Sequence, residues 1–338
     1  MTRPTVNLLC SLILLAATLP AAGSPLRHVS EAALARPAGE STETTAVSAR
    51  ETAADKGDKA PKYKKRKGEL RAYALFDNTG AEITFEELIE RLAPADAVFV
   101  GEVHNCPITH WLELEISRAL YARHGKRLVM GAEMLESDTQ LILDEYMQRL
   151  ISPERFGAEA RLWDNYETDY HPIVFFAKEH AIPFVATNVP RRYANSVRNH
   201  GLGILDSLSE EAKRYIAPLP IPFEYDEEQS QAAFGMMAML GHGGDTRRLA
   251  EAQAVKDATM GWFIARNLKE GGHFLHFNGN YHSDFKGGII PYLERYRPGT
   301  RVATIASVRQ TEIDRLAEEQ YGRADFYICV PEEMTNTY

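Results

Sequence analysis

The sequence lacks the glycine-rich and nucleophile motifs of the large nucleotide-binding and hydrolase families. It has no P-loop, no Gly-x-Gly-x-x-Gly fingerprint and no Gly-x-Ser-x-Gly elbow, so nucleotide binding and serine-hydrolase chemistry have no support. It also lacks an excess of positive charge, because its formal net charge is −9. General nucleic-acid binding is therefore not expected.

Cysteine is scarce, with three residues in 338. Cys10 lies in an apolar run near the N-terminus, which leaves Cys106 and Cys329. One pair at most could form in an oxidising compartment, and this excludes a disulfide scaffold. Two separate thiols are the favoured interpretation.

The first 23 residues have the three parts of a secretory signal peptide. Arg3 precedes an apolar run from Leu8 to Leu19, and small residues follow up to Gly23. We expect cleavage near Gly23 and an exported protein, periplasmic or secreted. A retained anchor is the alternative, but the apolar run is shorter than the roughly 20 residues that a membrane span needs.

Composition divides the rest of the chain into two parts. Residues 24–68 are rich in Ala, Glu, Thr, Ser and Lys without an apolar period, which predicts a disordered linker. Residues 69–338 alternate short apolar runs with amphipathic helices, which predicts one α/β domain with a parallel β-sheet flanked by helices. Residues about 190–270 contain no strand pattern and indicate a smaller inserted helical subdomain.

The predicted strands end in a repeated pattern. Four of them finish with a small residue followed by a polar one: Gly101–Glu102, Ala132–Glu133, Thr187–Asn188 and Gly279–Asn280. Ligands of open parallel sheets bind just beyond the carboxyl ends of the strands. We therefore expect one shared site that collects Glu102, His104, Glu133, Asn188 and His282.

These residue types are typical ligands of a divalent metal such as Zn²⁺, Mn²⁺ or Co²⁺. Glu102, His104 and His282 are the candidate metal ligands. Glu133 is either a further ligand or, in a hydrolase, the catalytic base that activates water. The alternative is that these are ordinary hydrogen-bonded polar residues at strand ends.

Two Gly-x-x-His elements, at 101–104 and 279–282, with a glutamate between them resemble the Tiki/TraB/erythromycin-esterase-like superfamily. Within it, "GEVHNCPITH" at 101–110 is similar to the opening motif of the ChaN-like branch of haem-binding, iron-regulated bacterial proteins. Asn105, Cys106 and Thr109 depart from that motif. "GAEML" and "EAQAVKDATM" follow in the same order as in the family, and the resemblance covers roughly residues 70–310.

The resemblance implies an exported haem-binding protein associated with haem or iron uptake. It implies haem contact by tyrosine, with Tyr170 and Tyr166 as candidates. His110 and His242 are further candidate haem contacts. Arg191 is a candidate partner of a haem propionate, since arginine binds carboxylates in a bidentate manner.

The same superfamily implies alternatives. The Tiki relatives suggest a metal-dependent hydrolase or peptidase that uses Glu102, His104, Glu133 and His282. An erythromycin-esterase-like hydrolase would instead use His104 as a base without metal. The expected partners are haem or a small-molecule or peptide ligand, membrane-associated uptake machinery, and a second copy of the chain. Gln253 and Asp257, one helical turn apart, are candidates for bracing the site.

Overall fold

The computed structural model describes residues 70–227 and 245–338. The predicted signal peptide (1–23), the predicted linker (24–68) and the candidate haem contact His242 lie outside the described residues. Within the two described ranges, none of the helices combines the length and apolar character that a membrane span requires.

A seven-stranded sheet forms the centre of the fold, with strand order β1-β7-β6-β2-β5-β3-β4. All neighbouring strands are parallel except β1, which pairs antiparallel with β7 at one edge. The strands are β1 Ala74–Asp77, β2 Ala97–Glu102, β3 Leu128–Glu136, β4 Phe184–Asn188, β5 His273–Gly279, β6 Val302–Gln310 and β7 Phe326–Pro331. This confirms the predicted α/β class; the sequence pattern did not identify β7.

Helices connect the strands. The α-helices within the described residues are α1 Phe85–Leu92, α2 Pro107–His124, α3 Gln140–Met147, α4 Pro153–Glu159, α5 His171–Glu179, α6 Arg191–His200, α7 Glu210–Lys213, α8 Thr246–Asn267 and α9 Ile289–Tyr296. In the segment predicted as helical, the described residues of 190–270 form helices and no strand. There α6 and α8 share an apolar cluster that includes Val197 and Val255.

Both faces of the sheet are covered, which explains why its strands are continuously apolar. Along β2, Val98 and Val100 join the core that includes Leu112, Ile116 and Leu120 of α2. Ala97 and Phe99 join a second core that includes Met260 and Ile264 of α8. Successive side chains of a strand point to opposite faces, so each residue of β2 is assigned to the α2 side or to the α8 side by its position.

Local signals in the sequence fix the ends of α1 and α2. Thr84 caps α1 by accepting a hydrogen bond from the backbone N–H of Glu87, whose side chain accepts from the backbone N–H of Thr84. These two hydrogen bonds form a capping box. Helix α2 begins at Pro107 and ends before Gly125, whose φ of +55° favours glycine.

Cys106 and Cys329 are both buried, and they do not form a disulfide with each other.

Candidate functional site

The strand order places residues near the carboxyl ends of three neighbouring strands side by side. β2 carries Glu102, its neighbour β5 ends at Gly279, and the next strand, β3, carries Glu133. β4, beyond β3, ends at Asn188, whose side-chain amide donates to the backbone carbonyl of Glu133 at 2.9 Å. The structure therefore brings the strand-end residues to one edge of the sheet.

Glu102 holds His104 in a defined orientation. Oε1 of Glu102 lies 2.6 Å from Nδ1 of His104 and accepts a hydrogen bond from the Tyr170 hydroxyl at 2.7 Å. Burial raises the pKa of Glu102, but the hydrogen bond with His104 and the nearby charges of His110 and His104 outweigh it and lower the pKa to about 2. Glu102 is therefore a buried carboxylate whose negative charge faces His104.

His104 is the most exposed member of the site. Its side chain is 36% exposed, and its ring meets Trp163 edge-on at a centroid distance of 4.9 Å. Its Nε2 lies over Gly279, where an added Cβ would be 2.7 Å from Nε2 and 3.6 Å from Glu133 Oε2. The missing side chain at 279 thus lets His104 cross the end of β5 toward Glu133.

Glu133, His282 and Asp257 form a second group, the α8-side cluster. Oε1 of Glu133 lies 3.2 Å from Nε2 of His282, and Oε2 accepts from the backbone N–H of Gly279 at 2.8 Å. On the other side of the ring, Nδ1 of His282 lies 2.5 Å from Asp257 Oδ1. All three side chains are buried.

The charges of the α8-side cluster depend on one another. Burial lowers the pKa of His282, but the charges of Glu133 and Asp257 outweigh it and raise the pKa to about 10. The pKa of Glu133 lies well below its usual range because the charge of His282 outweighs burial, whereas burial raises the pKa of Asp257. Of the two residues expected to support the site, Asp257 contacts His282 directly. Gln253 is among the residues that line a neighbouring cleft.

The α2-side cluster comprises Glu102, His110, Glu113, Asp169 and Tyr170. His110 Nε2 lies 3.4 Å from Glu102 Oε2, and His110 Nδ1 lies 3.2 Å from Asp169 Oδ2. Glu113 is completely buried and neither of its carboxylate oxygens has a hydrogen-bond partner. Burial and the charge of Glu102 raise the pKa of Glu113 well above its usual value.

Sequence reasoning missed Glu113 and Asp169. For Glu113 a signal was present, because His110 and Glu113 are three residues apart in a predicted helix and so lie on the same side of it. For Asp169 there was none. The side-chain amide of Asn165 positions this residue by donating to Asp169 Oδ2 at 2.7 Å and to the backbone carbonyl of His104 at 2.9 Å.

The three described aromatic side chains that the sequence predicted as haem contacts lie inside the fold. Tyr170, Tyr166 and His110 are each 4% exposed. Arg191 forms an ion pair with Glu136 and donates to the backbone carbonyl of Arg161 at 3.1 Å. None of the three rings presents an accessible ligand atom in this arrangement, so their contact with haem stays a prediction that requires movement of the side chains.

The role of Glu102, His104 and His282 as metal ligands stays a prediction. Glu102 and His104 are hydrogen-bonded to each other, and His282 contacts Glu133. In the described part of the chain, the group of three side chains whose ligand atoms all lie within 4.8 Å of one another is Glu102, His110 and Glu113. Only Glu102 belongs to both sets.

A cleft of about 800 Å³ adjoins the α8-side cluster. Asp257 lines it, as does Tyr281, which is 45% exposed and contacts the His282 ring edge-on at 5.4 Å. Its remaining described lining residues include aromatic and charged side chains: Phe223, Phe285, Tyr292, Glu224, Asp226, Asp284 and Arg295. Sequence reasoning missed Tyr281 although it precedes His282 within the second Gly-x-x-His element.

Comparisons with known proteins agree with this arrangement of the fold. A family model described as "Haem-binding uptake, Tiki superfamily, ChaN" matches residues 88–293. Among solved structures, ChaN of Campylobacter jejuni, described with cofacial heme binding, superposes with a TM-score of 0.59 at 19% identity over 76% of this chain and 96% of that chain. At this identity the likeness concerns the fold.

Two other solved structures superpose less well. The type III effector HopBA1 gives a TM-score of 0.42 at 12% identity over 73% of this chain and 92% of that chain. The erythromycin esterase EreC gives a TM-score of 0.40 at 13% identity over 76% of this chain and 83% of that chain. A search of curated proteins finds no match. The family model spans more than half of the chain and includes both Gly-x-x-His elements.

Proposed function

This chain belongs to the haem-binding uptake family ChaN of the Tiki superfamily, and we propose that it is an exported haem-binding protein that serves haem or iron uptake. The observation that carries the proposal is the aromatic cleft beside the α8-side cluster, with Tyr281 in its wall. We propose this cleft, rather than the buried Tyr166 and Tyr170, as the haem site.

The lining of the cleft suits haem in size and in chemistry. A haem site needs an apolar slot and an axial side chain, for which tyrosine is one known choice. The cleft volume of about 800 Å³ lies within the range of roughly 300–1,000 Å³ typical of small-molecule sites. Phe223, Phe285 and Tyr292 supply ring surface, and Tyr281 supplies a phenol oxygen. Bound haem would supply an iron atom, which the phenol oxygen of Tyr281 could hold.

The charges of the cleft restrict how haem could be held. Glu224, Asp226, Asp257 and Asp284 line it, and Arg295 is the basic side chain among its described lining residues. Carboxylates repel haem propionates, whereas arginine binds them through paired hydrogen bonds. We therefore propose that Arg295, and not Arg191, pairs with a propionate.

A hemin titration followed by the Soret band tests this site. We expect Tyr281→Phe to weaken hemin binding by about tenfold or more, because the phenol oxygen that would hold the iron is lost. Tyr321→Phe is a matched control, since Tyr321 is also surface-exposed (42%) but does not line the cleft. Its affinity should equal that of the unmodified protein.

Two further variants separate the cleft from the buried tyrosines. If Tyr281→Phe binds hemin normally while Tyr170→Phe or Tyr166→Phe does not, the proposed cleft is wrong and the sequence-predicted contacts are supported. If the unmodified protein produces no Soret shift with hemin, the proposed haem-binding function itself fails.

The geometry of His104 favours a second candidate function, a hydrolase. A carboxylate that bonds Nδ1 of a histidine fixes the ring and its tautomer, as in catalytic histidines and in metal-ligating ones. Here Glu102 bonds Nδ1, and Nε2 lies beside Gly279 and Glu133 in a partly exposed position. His104 could thus activate water directly, or Glu133 could do so beside a metal held by the histidines.

Hydrolysis of a nitrophenyl ester and of an unstructured peptide, with and without a chelator, tests this alternative. We expect His104→Ala to lower turnover by about 10²–10⁴-fold, the usual contribution of a general base. Tyr321→Phe, on the surface away from these residues, should leave turnover unchanged. Activity lost with the chelator supports the metal-dependent form, and activity retained supports the metal-free form. An absence of turnover above background in the unmodified protein would remove this candidate.

Export is proposed from the N-terminal residues and is tested by cell fractionation. The full chain should appear in the periplasm or the medium, with a mass that corresponds to cleavage near Gly23. A chain without residues 1–23 should stay in the cytoplasm.

Sedimentation of the protein with and without hemin tests the expected homodimer. Crosslinking at the membrane tests the expected contact with uptake machinery.

A further inference from the structure

We propose that Glu102, His110 and Glu113 form a buried divalent-metal site that ties the end of β2 to α2. This site lies in the α2-side cluster and does not involve the haem cleft or the two Gly-x-x-His histidines. It is therefore independent of the proposed haem-binding function.

The three side chains come together from two elements. Glu102 is the last residue of β2, and His110 and Glu113 lie one turn apart on α2. One ligand atom from each residue can be chosen so that all three lie within 4.8 Å of one another. Glu102 is 2% exposed, His110 4% and Glu113 0%, so the site is closed to solvent.

Unpartnered carboxylate oxygens point to a ligand at this position. Neither oxygen of Glu113 has a hydrogen-bond partner, and Oε2 of Glu102 has none. Burying an unpaired carboxylate is costly in free energy, and the unpaired carboxylate of Glu113 lies close to that of Glu102, which is hydrogen-bonded through Oε1 alone. In the part of the chain that the structure describes, no lysine or arginine forms an ion pair with either residue. A divalent cation would supply the missing positive charge.

The surrounding groups prepare His110 to be a ligand. Asp169 lies 3.2 Å from Nδ1, and Asn165 donates to the same Asp169 oxygen. Neither ring nitrogen of His110 has a hydrogen-bond partner here, and a carboxylate beside Nδ1 favours the tautomer that leaves Nε2 for a metal. The remaining nitrogen, Nε2, lies 3.4 Å from Glu102 Oε2.

The ligand types define the class of metal. One imidazole and two carboxylates suit Zn²⁺, Mn²⁺, Fe²⁺ or Co²⁺ better than Ca²⁺ or Mg²⁺, which favour sites made of oxygen ligands alone. Because the site is closed, the metal would act structurally. It would fix the carboxylate of Glu102, whose other oxygen orients His104.

The competing explanation is that Glu113 stays protonated and the cluster holds no metal. Glu113→Gln separates the two, because glutamine has the shape of a protonated glutamate but is a poor metal ligand. The experiment uses the full chain, stripped with a chelator and then dialysed against Zn²⁺ or Mn²⁺. Metal content is measured by mass spectrometry and the midpoint of thermal unfolding by circular dichroism.

We expect the unmodified protein to retain one metal per chain and to unfold at a higher temperature with metal than without. Glu113→Gln should bind metal at least about tenfold more weakly, as expected from damage to a coordination shell, and should lose the thermal shift. Glu115→Gln is the matched control on the same helix, where Glu115 pairs with Arg118. It should behave like the unmodified protein.

Three outcomes would overturn the proposal. The first is full metal content in Glu113→Gln. The second is metal lost in His282→Ala but kept in Glu113→Gln, which would place the ion at the Gly-x-x-His histidines. The third is an unmodified protein that binds no metal and gains stability on Glu113→Gln, which would show a protonated carboxyl. Hemin affinity should be unchanged in Glu113→Gln, so failure of this site and failure of haem binding are distinguishable.

Discussion

The imidazole of His104 lies directly over Gly279, so that a Cβ at position 279 would be 2.7 Å from Nε2. This contact joins the two halves of the site. His104 is held from the α2 side by Glu102, and beyond Gly279 lies Glu133 of the α8-side cluster. The absence of one side chain at the end of β5 therefore permits the approach of two acidic groups to one histidine.

Gly279→Ala should displace His104 from this position. The added methyl group overlaps the ring, and moving the ring breaks its bond to Glu102, so we expect a loss of about 1–3 kcal/mol in the free energy of unfolding, the usual range for overpacking. A crystal structure of the variant should show the His104 ring turned away from Glu133. Urea unfolding measures the stability change.

Gly157→Ala is the control for this substitution. A Cβ at position 157, in α4, would meet no atom within 4 Å. Since alanine is favoured over glycine in helices, this variant should be as stable as the unmodified protein or more stable by up to about 1 kcal/mol. Equal destabilisation by both substitutions would contradict the steric explanation at 279.

Leu120→Ala should destabilise the domain strongly. Leu120 is 0% exposed on α2 and belongs to the core on that side of the sheet. Truncating a buried leucine typically costs about 2–5 kcal/mol. Leu141→Ala tests the same change on α3, where Leu141 is 69% exposed, and should change the free energy of unfolding by no more than about 0.5 kcal/mol. The midpoints of urea denaturation compare the two variants, and similar losses would contradict the described packing of α2.

His273 should make stability decrease as the pH falls. Burial, and then the charge of neighbouring His124, lowers the pKa of His273 to about 4. The two rings are stacked at a centroid distance of 4.1 Å, and Nδ1 of His273 donates to the Ala95 carbonyl at 2.7 Å. Between pH 6.5, the ordinary pKa of histidine, and about pH 4, the unfolded chain binds this proton and the folded chain does not. The free energy of unfolding therefore decreases as the pH is lowered.

The contribution of His273 is measured as a difference between variants. Between pH 7 and pH 4.5 the unmodified protein should lose about 2 kcal/mol more than His273→Gln, which does not titrate. Urea unfolding at the two pH values gives both losses, and subtraction removes the effect of the other titrating groups. An equal loss in the two proteins would show that His273 does not stay neutral in the folded state.

Thr84→Ala should remove the cap of α1. The Thr84 hydroxyl accepts from the backbone N–H of Glu87 at 3.1 Å, and loss of such a cap costs about 1 kcal/mol. Ser196→Ala is a suitable comparison, because the Ser196 hydroxyl bonds to the Arg192 carbonyl within α6 and caps nothing. Its effect on thermal unfolding should be small, and a larger loss at position 196 than at 84 would contradict the role of the cap.

Several features of this protein follow from its sequence alone. The apolar runs and the helices between them predicted the α/β class, because periodicity records which faces of an element are buried. The polar residues after Gly101, Ala132 and Gly279 predicted that their side chains lie close together, since the carboxyl ends of parallel strands lie at the same end of a sheet. The capping box at Thr84 is likewise a local feature, because its two hydrogen bonds join residues three apart in the chain.

Only the tertiary structure decided the strand order, and with it which polar residues touch. The position of β5 between β2 and β3 places Gly279 under His104, and no local pattern encodes that order. The burial of Tyr166 and Tyr170, the meeting of Glu113 with Glu102, and the cleft beside Tyr281 depend likewise on contacts between residues far apart in the chain. Composition and periodicity specify the faces of single elements, whereas the arrangement of the elements is set by the sum of their packing contacts.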